Sequence, residues 1–255
     1  MCLIFLSLKD HPSYKLMVAA NRDEFYNRRT AAAGYWEDHP EILGGRDLEA
    51  GGTWLGMSRS GRISMITNYR DPKHIDPKAP SRGYLVSDYL SGTTSPGEYL
   101  HELEPNGKKY NGFNLITGTT EELWYFSNYR EGVDKLSPGL YGLSNHLLET
   151  PWPKVVRGKK RMREVTAGPF SAKDLFEVLY NDELADDPSL PDTGVGLERE
   201  RALSSMFIKS PGYGTRCSTV ILVNYDDEVL FAERVYDLST FTFSEKSFTF
   251  SPPKT

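Results

Sequence analysis

Apolar residues in the first half of the chain fall into short runs joined by turn-forming residues. CLIFLSL (2–8) and KLMVAAN (15–21) flank KDHPSY, TWLGMS (53–58) and RISMITNY (62–69) flank residues 59–61, and FNLITG (113–118) and LWYFSN (123–128) flank TTEE. Each pair predicts a β-hairpin, because apolar runs of strand length meet turn chemistry between them. CLIFLSL is apolar on both faces and therefore needs cover on both sides. Helices are predicted over 81–90 and from Ser95, where Ser95 and Glu98 make a capping box and Pro96 takes the first helical position. Two more are predicted from about Pro153 to Val165, introduced by Thr150 and Pro151, and after Ser171, which pairs with Asp174 in a second box. Residues 182–200 read as an exposed loop, and strands return at 218–224, 228–235 and 241–250.

Strand pairs, then helices, then strand pairs predict an α+β protein: two antiparallel sheets packed face to face with helices outside, a four-layer αββα sandwich in a single domain spanning 1–255. Composition adds limits. A chain of 255 residues with 38% hydrophobic and 25% charged content can bury a large core, which argues against whole-chain disorder. The net charge of -5 argues against a nucleic-acid partner, and the one basic run, Arg157 to Arg163, lies in a helical pattern where it reads as a solvated face. The start MCLIFLSLKD has neither a basic leader nor enough apolar length to span a bilayer, so no transmembrane segment is expected there. Two cysteines, Cys2 and Cys217, do not form a disulfide framework, and a reducing cytoplasm is the expected location.

The candidate chemistry starts where MVAA (17–20) runs into Asn21, Arg22, Asp23 and Glu24. Folding the first hairpin about residues 11 and 12 sets Cys2 opposite Asn21, and a one-residue slip sets it opposite Arg22. Either register brings the thiol to the polar tetrapeptide. A small residue at position 2 permits removal of Met1, leaving Cys2 with both a thiol and an α-amine. An α-amine titrates at about 7.7–8.0 and a thiol near ~8.5, so the amine is a competent base for its own sulfur. In that arrangement Asp23 orients the ammonium and Arg22 favours the thiolate. The plainer alternative is a small buried cysteine in a strand.

MCLIFLSL followed by AANRDEF resembles the NRDE family, also called the transport and Golgi organisation 2 family. The resemblance continues through GGTWLGMSRSGRISMITNYRDP (51–72), YNGFNLITG (110–118), YGLSNHLLETPWPKV (141–155) and PGYGTRCSTVILV (211–223). It implies an N-terminal-nucleophile-hydrolase-like αββα fold, with Cys2 and the Asn21–Glu24 segment at a shared site. More distantly the layout is similar to the bile-salt hydrolase and penicillin V acylase group, whose N-terminal cysteine cleaves a non-peptide amide. That group's asparagine block is matched by LSNHLLETPWPKV around Asn145, whereas its arginine and aspartate are spaced differently from the adjacent Arg22 and Asp23. Relatives in the family are implicated in haem mobilisation and in lipid or acyl-CoA homeostasis, which implies a small hydrophobic or acyl ligand, or haem.

Further candidates follow from position. Asn68 ends one strand and Asn145 another, and an amide N–H facing a developing oxyanion is worth roughly 3 kcal/mol. Arg216 opens the strand after GYGTR, where it is a candidate to steady a thiolate or an acidic substrate group. Asn21, Arg22, Glu24, Trp54 and His146 are candidate substrate contacts, with Trp54 able to wall an apolar pocket. Cys217 reads as packing. GMSRSG misses the G-x-S-x-G elbow, no metal-ligand spacing appears, and no cofactor is required. His146 and His39 are the candidate axial ligands if haem binds non-covalently. Two functions stand: a Cys2-dependent hydrolase of a non-peptide C–N bond, or a non-enzymatic haem or acyl-lipid carrier using the same cleft.

Overall fold

The computed structural model describes residues 2–253. In chain order, strands β1 (Cys2–Leu8), β2 (Tyr14–Phe25), β3 (Thr30–Tyr35), β4 (Ile42–Asp47), β5 (Leu55–Ser58) and β6 (Arg62–Asn68) precede helices α1 (Gly83–Ser91) and α2 (Pro96–Leu103). Strands β7 (Phe113–Thr119), β8 (Leu123–Ser127), β9 (Asp134–Lys135) and β10 (Gly139–Leu143) lead to helices α3 (Pro153–Thr166), α4 (Ala172–Leu179) and α5 (Leu197–Ala202). Strands β11 (Lys209–Ser210), β12 (Tyr213–Asn224), β13 (Val229–Tyr236) and β14 (Phe243–Phe250) complete the described fold.

One sheet runs β10-β1-β2-β12-β13-β14, with β11 added to β12, and the other runs β3 to β9 in sequence order. Side chains alternate along β1, so Ile4 and Leu6 face one way and Leu3 and Phe5 the other. Ile4, Leu6, Val18 and Ile221 of the first sheet meet Leu43, Met57, Met65 and Ile116 of the second. Leu3, Phe5 and Val220 meet Val155 and Met162 of α3 and Leu175 and Phe176 of α4. On the far side, Ile42, Ile66 and Leu115 pack with Leu85 and Tyr89 of α1 and Leu100 of α2. These three cores give the αββα order expected from the sequence. Each fully buried large side chain in them contributes about 1.5–3 kcal/mol.

Both capping boxes form: Ser95 with Glu98 at α2, and Ser171 with Asp174 at α4. Close seating of α3 depends on Gly158, where an added Cβ would lie 1.9 Å from the Phe5 ring. A glycine inside a helix costs ~1 kcal/mol, so the contact must return more than that.

Four expectations change. β2 ends at Phe25 rather than Asn21, so the polar tetrapeptide lies inside a strand that β12 continues to pair. β3 and β4 fall where no strand was predicted, and the glycines of ILGG in β4 are not turn residues. Those glycines serve packing instead: a Cβ on Gly45 would lie 2.2 Å from the Trp54 ring. The stretch 182–200, read as loop throughout, contains the start of α5. The hairpin register is the fourth: Cys2 pairs with Arg22 and not Asn21. Lys9 takes a left-handed conformation (φ 48°) and donates to the Lys15 carbonyl, which moves the hairpin's centre to Pro12. The parity of every pair moves with it.

Candidate functional site

The register decides which side chains share a face. Cys2, Arg22 and Cys217 are paired across three adjacent strands, and directly opposed residues point to the same side of a sheet. Cys2 is 8% exposed and lines a cavity of about 370 Å³ with Arg22, Asp23, Glu24, Trp54 and Asn68. Residues 77–83, running from the connection after β6 into the first residue of α1, close one wall and contribute Arg82. A larger cleft of about 710 Å³ lies beside the β1–β2 turn, lined by His11, Tyr14, Met162 and Phe170, at the other end of β1 from the thiol.

The Arg22 guanidinium lies 4.1 Å over the Trp54 ring. Its Nη2 is 3.9 Å from Glu24 and 4.0 Å from Asp47, while Arg28 takes Asp47 directly at 2.7 Å. Arg22 Nη1 is buried without a hydrogen-bond partner among the described residues, which leaves a donor unspent on the residue paired with Cys2. Burial pushes the Cys2 thiol above its usual value; the Asp23 and Glu24 carboxylates push the same way and Arg22 opposes them.

Alternation sends Asn21 and Asp23 toward the helical layer. Asn21 Nδ2 donates to the carbonyls of Leu179 (3.1 Å) and Met206 (2.8 Å), and its Oδ1 accepts from Ser218. Asn21 therefore ties α4 to the sheet and does not line the cavity, contrary to its expected substrate contact. Asp23 accepts from the Thr215 hydroxyl at 2.7 Å. Burial raises the Asp23 carboxyl, and Lys154 of α3 is the principal opposing charge.

Asn145 is fully buried and reaches the site through Asn68: its Nδ2 donates to the Asn68 carbonyl at 3.0 Å, and its own carbonyl accepts from Arg70 N at 2.7 Å. Arg216 sits at a β-bulge between Thr215 and Cys217, which turns its side chain to the carbonyls of Phe25 (2.8 Å) and Tyr26 (3.0 Å). It braces the turn after β2 and is not on the cavity wall. His146 lies off the cavity with both ring nitrogens engaged, to Tyr69 OH at 2.7 Å and Thr150 Oγ1 at 2.9 Å, and His39 is exposed beside Glu41. Neither expected axial ligand lines the Cys2 cavity.

Sequence reasoning missed Arg28, Asp47, Arg82 and Lys154. The first three come from loops and from the overlooked β4, while Lys154 stands at the start of a basic amphipathic helix, where lysine normally signals solvent. The signal available for Lys154 was its place inside TPWPKV, between residues that begin a buried helix end.

Two antiparallel sheets stacked between helical layers, with the leading cysteine at the mouth between them, define an N-terminal-nucleophile-hydrolase-like fold. A solved structure of a Caenorhabditis elegans N-acylethanolamine-hydrolyzing acid amidase ortholog superposes with a TM-score of 0.53 at 12% identity, covering 87% of this chain and 92% of that one. The profile of the Transport and Golgi organisation 2 family matches residues 1–238, and the chain belongs to that family. The Homo sapiens Transport and Golgi organization protein 2 homolog is 41% identical over 257 residues, covering 92% of both chains. The Drosophila melanogaster Transport and Golgi organization protein 2 is 29% identical, covering 91% of both. No helix among the described residues is long and apolar enough to cross a membrane.

Proposed function

We propose that this protein is an N-terminal-cysteine hydrolase that cleaves a linear, non-peptide amide of a small acyl substrate. The observation that carries the reading is the Cys2 side chain on the wall of a 370 Å³ cavity with Arg22 in register beside it. With Met1 removed, the Cys2 α-amine takes the thiol proton and Sγ attacks the carbonyl carbon. The C–N bond breaks as the amine leaves with that proton, and water then cleaves the thioester to give the acid and restore the thiol. Asp23 orients the ammonium, Arg22 favours the thiolate, and Asn68 faces the cavity as oxyanion donor while Asn145 holds its backbone. The fold is shared with an N-acylethanolamine-hydrolysing amidase, which is consistent with amide chemistry on this scaffold.

One observation favours a second reading. Burial raises the Cys2 thiol, and a protonated thiol is a weak nucleophile, so the same cavity also suits non-catalytic binding of haem or an acyl lipid. Its arginines, Arg22, Arg28 and Arg82, would face a ligand's acidic groups, and haem held there would not use His39 or His146. The test compares wild type with Cys2→Ala in a panel of acyl amides and in haem and acyl-CoA titrations, with intact mass reporting whether Met1 is retained. Hydrolysis lost in Cys2→Ala supports the enzyme. Ligand binding in both proteins with hydrolysis in neither supports the carrier.

A further inference from the structure

Large apolar side chains left in solvent are few, and they are not spread evenly. Eleven are exposed among the described residues, and four of them stand within two positions of residues lining the Cys2 cavity: Ile75 (64%), Phe25 (60%), Leu48 (49%) and Tyr84 (47%). Phe25 follows Glu24, Leu48 follows Asp47, Tyr84 follows Gly83, and Ile75 lies two before Pro77. Singly such exposure is ordinary, but gathered around one opening it marks a surface that meets a partner.

The four tips are held in place. Leu48 N donates to the Arg29 carbonyl at 3.0 Å, which joins the turn after β4 to the turn after β2. A Cβ on Gly51 would lie 2.8 Å from the Tyr84 hydroxyl, so the start of α1 abuts the β4–β5 connection. The Ile75 loop is pinned by cavity-lining Asn111, whose Oδ1 accepts from Asp76 N and whose Nδ2 donates to the Asp76 carbonyl, both at 2.8 Å. Four apolar groups on separate chain segments around an opening suit a fluid layer better than the continuous groove that grips a peptide. Charge points to the same partner. Arg29, Lys73 and Lys78 are exposed on these segments and make no ion pair among the described residues, in a protein of net charge -5. The acids beside them are engaged: Asp47 by Arg28, Asp71 by His74 and the Tyr129 hydroxyl, Glu49 by Arg29 N and Asp76 by Lys78 N.

We propose that the mouth of the Cys2 cavity is a docking surface for an anionic lipid bilayer. Ile75, Phe25, Leu48 and Tyr84 enter the boundary between headgroups and acyl chains, and Arg29, Lys73 and Lys78 bind the acidic headgroups. The cavity then opens onto the bilayer, and an amphiphilic ligand reaches Cys2 from the lipid side. This docking goes beyond the hydrolase reading and serves a carrier equally.

The test is co-sedimentation of the full-length protein with vesicles of phosphatidylcholine, alone or mixed in equal parts with phosphatidylserine. Binding to the mixed vesicles is expected to be about tenfold stronger than to phosphatidylcholine alone, and to weaken with added salt. Ile75→Asp should lower it about tenfold, since a charge replaces an inserted apolar group. The double variant Lys73→Glu, Lys78→Glu should lower it by a similar factor through headgroup repulsion. Tyr225→Asp removes a comparably exposed aromatic just past the other end of β12 and should leave binding unchanged. All these positions are exposed, and an unchanged melting temperature checks that each variant is folded. Failure to sediment with the mixed vesicles, binding that survives both rim variants, or an equal loss in Tyr225→Asp overturns the proposal. So does a dimer in sedimentation velocity that Ile75→Asp dissolves while vesicles are ignored, which gives the surface to a second copy. Vesicle binding by a protein that hydrolyses nothing ends the catalytic reading alone, whereas hydrolysis without vesicle binding ends the docking alone.

Discussion

The end of β2 presents two environments one residue apart. Toward the second sheet, Arg22 and Glu24 face Cys2, Trp54 and a solvent-reachable cavity, where Arg22 Nη1 is left unspent. Toward the helices, Asn21 is bonded to α4 and the segment after α5, and Asp23 lies among enclosed charges. Four consecutive polar residues therefore do not make one site. A pleated strand turns the Arg22 and Glu24 side chains to the cavity and those of Asn21 and Asp23 toward the helices, with Asp23 still bordering the cavity, and a one-residue change of register would exchange the two faces.

Substitutions on the two faces should separate cleanly. The largest effect is expected at the cavity: Cys2→Ala should lower hydrolysis of a responsive acyl amide by on the order of 10³-fold or more, since it removes the nucleophile. A rate within threefold of wild type would end the catalytic claim. On the helical face, Asn21→Ala strips donors from two buried carbonyls, and denaturant unfolding should show a loss of roughly 2–4 kcal/mol. Ligand titration of the folded variant should stay unchanged; weaker binding with normal stability would place Asn21 in the cavity after all.

Glu233 sharpens the same contrast through pH. It lies between the sheets, accepts from Ala33 N at 2.6 Å, and is raised by burial to about 7 from an ordinary 4.5. A carboxyl raised on folding binds more protons folded than unfolded, so stability falls as pH rises from about 4.5 to about 7 and levels off beyond. Glu233→Gln should remove that slope, with a gain at pH 8 of about 3 kcal/mol at most and none at pH 4. Parallel slopes in the two proteins would count against it. The smallest effect belongs to Arg22→Lys, which keeps the charge but loses the planar contact with Trp54, at a cost of about 1 kcal/mol by thermal or chemical unfolding. A loss several times larger would give Arg22 an architectural role as well.

Features with a local cause were legible in the sequence. Ser95 with Glu98 and Ser171 with Asp174 fix helix starts through contacts three residues apart, and the nearly unbroken apolar run CLIFLSL announces a strand covered on both sides. Register was not legible, because it depends on whether Lys9 turns left-handed, a choice settled by the whole β1–β2 connection. β4 was hidden because its glycines answer a tertiary demand, the approach of Trp54 and β5. At the site, Cys2, Arg22, Asp23, Asn68 and Trp54 do gather, whereas Arg216 was diverted by a bulge with no local signature. Lys154 escaped because burial of a lysine is set by distant partners.

The place of β2 between β1 and β12 bears on how the molecule is made. Cys2 belongs to the first strand, yet the strand that completes its neighbourhood begins only at Tyr213. Pairing across that sequence distance is slow to form, so the nascent hairpin must wait with an open edge until β12 emerges. Assembly of the centre is then a late event, and a message cut short before β12 would yield a sticky fragment rather than a weak version of the protein.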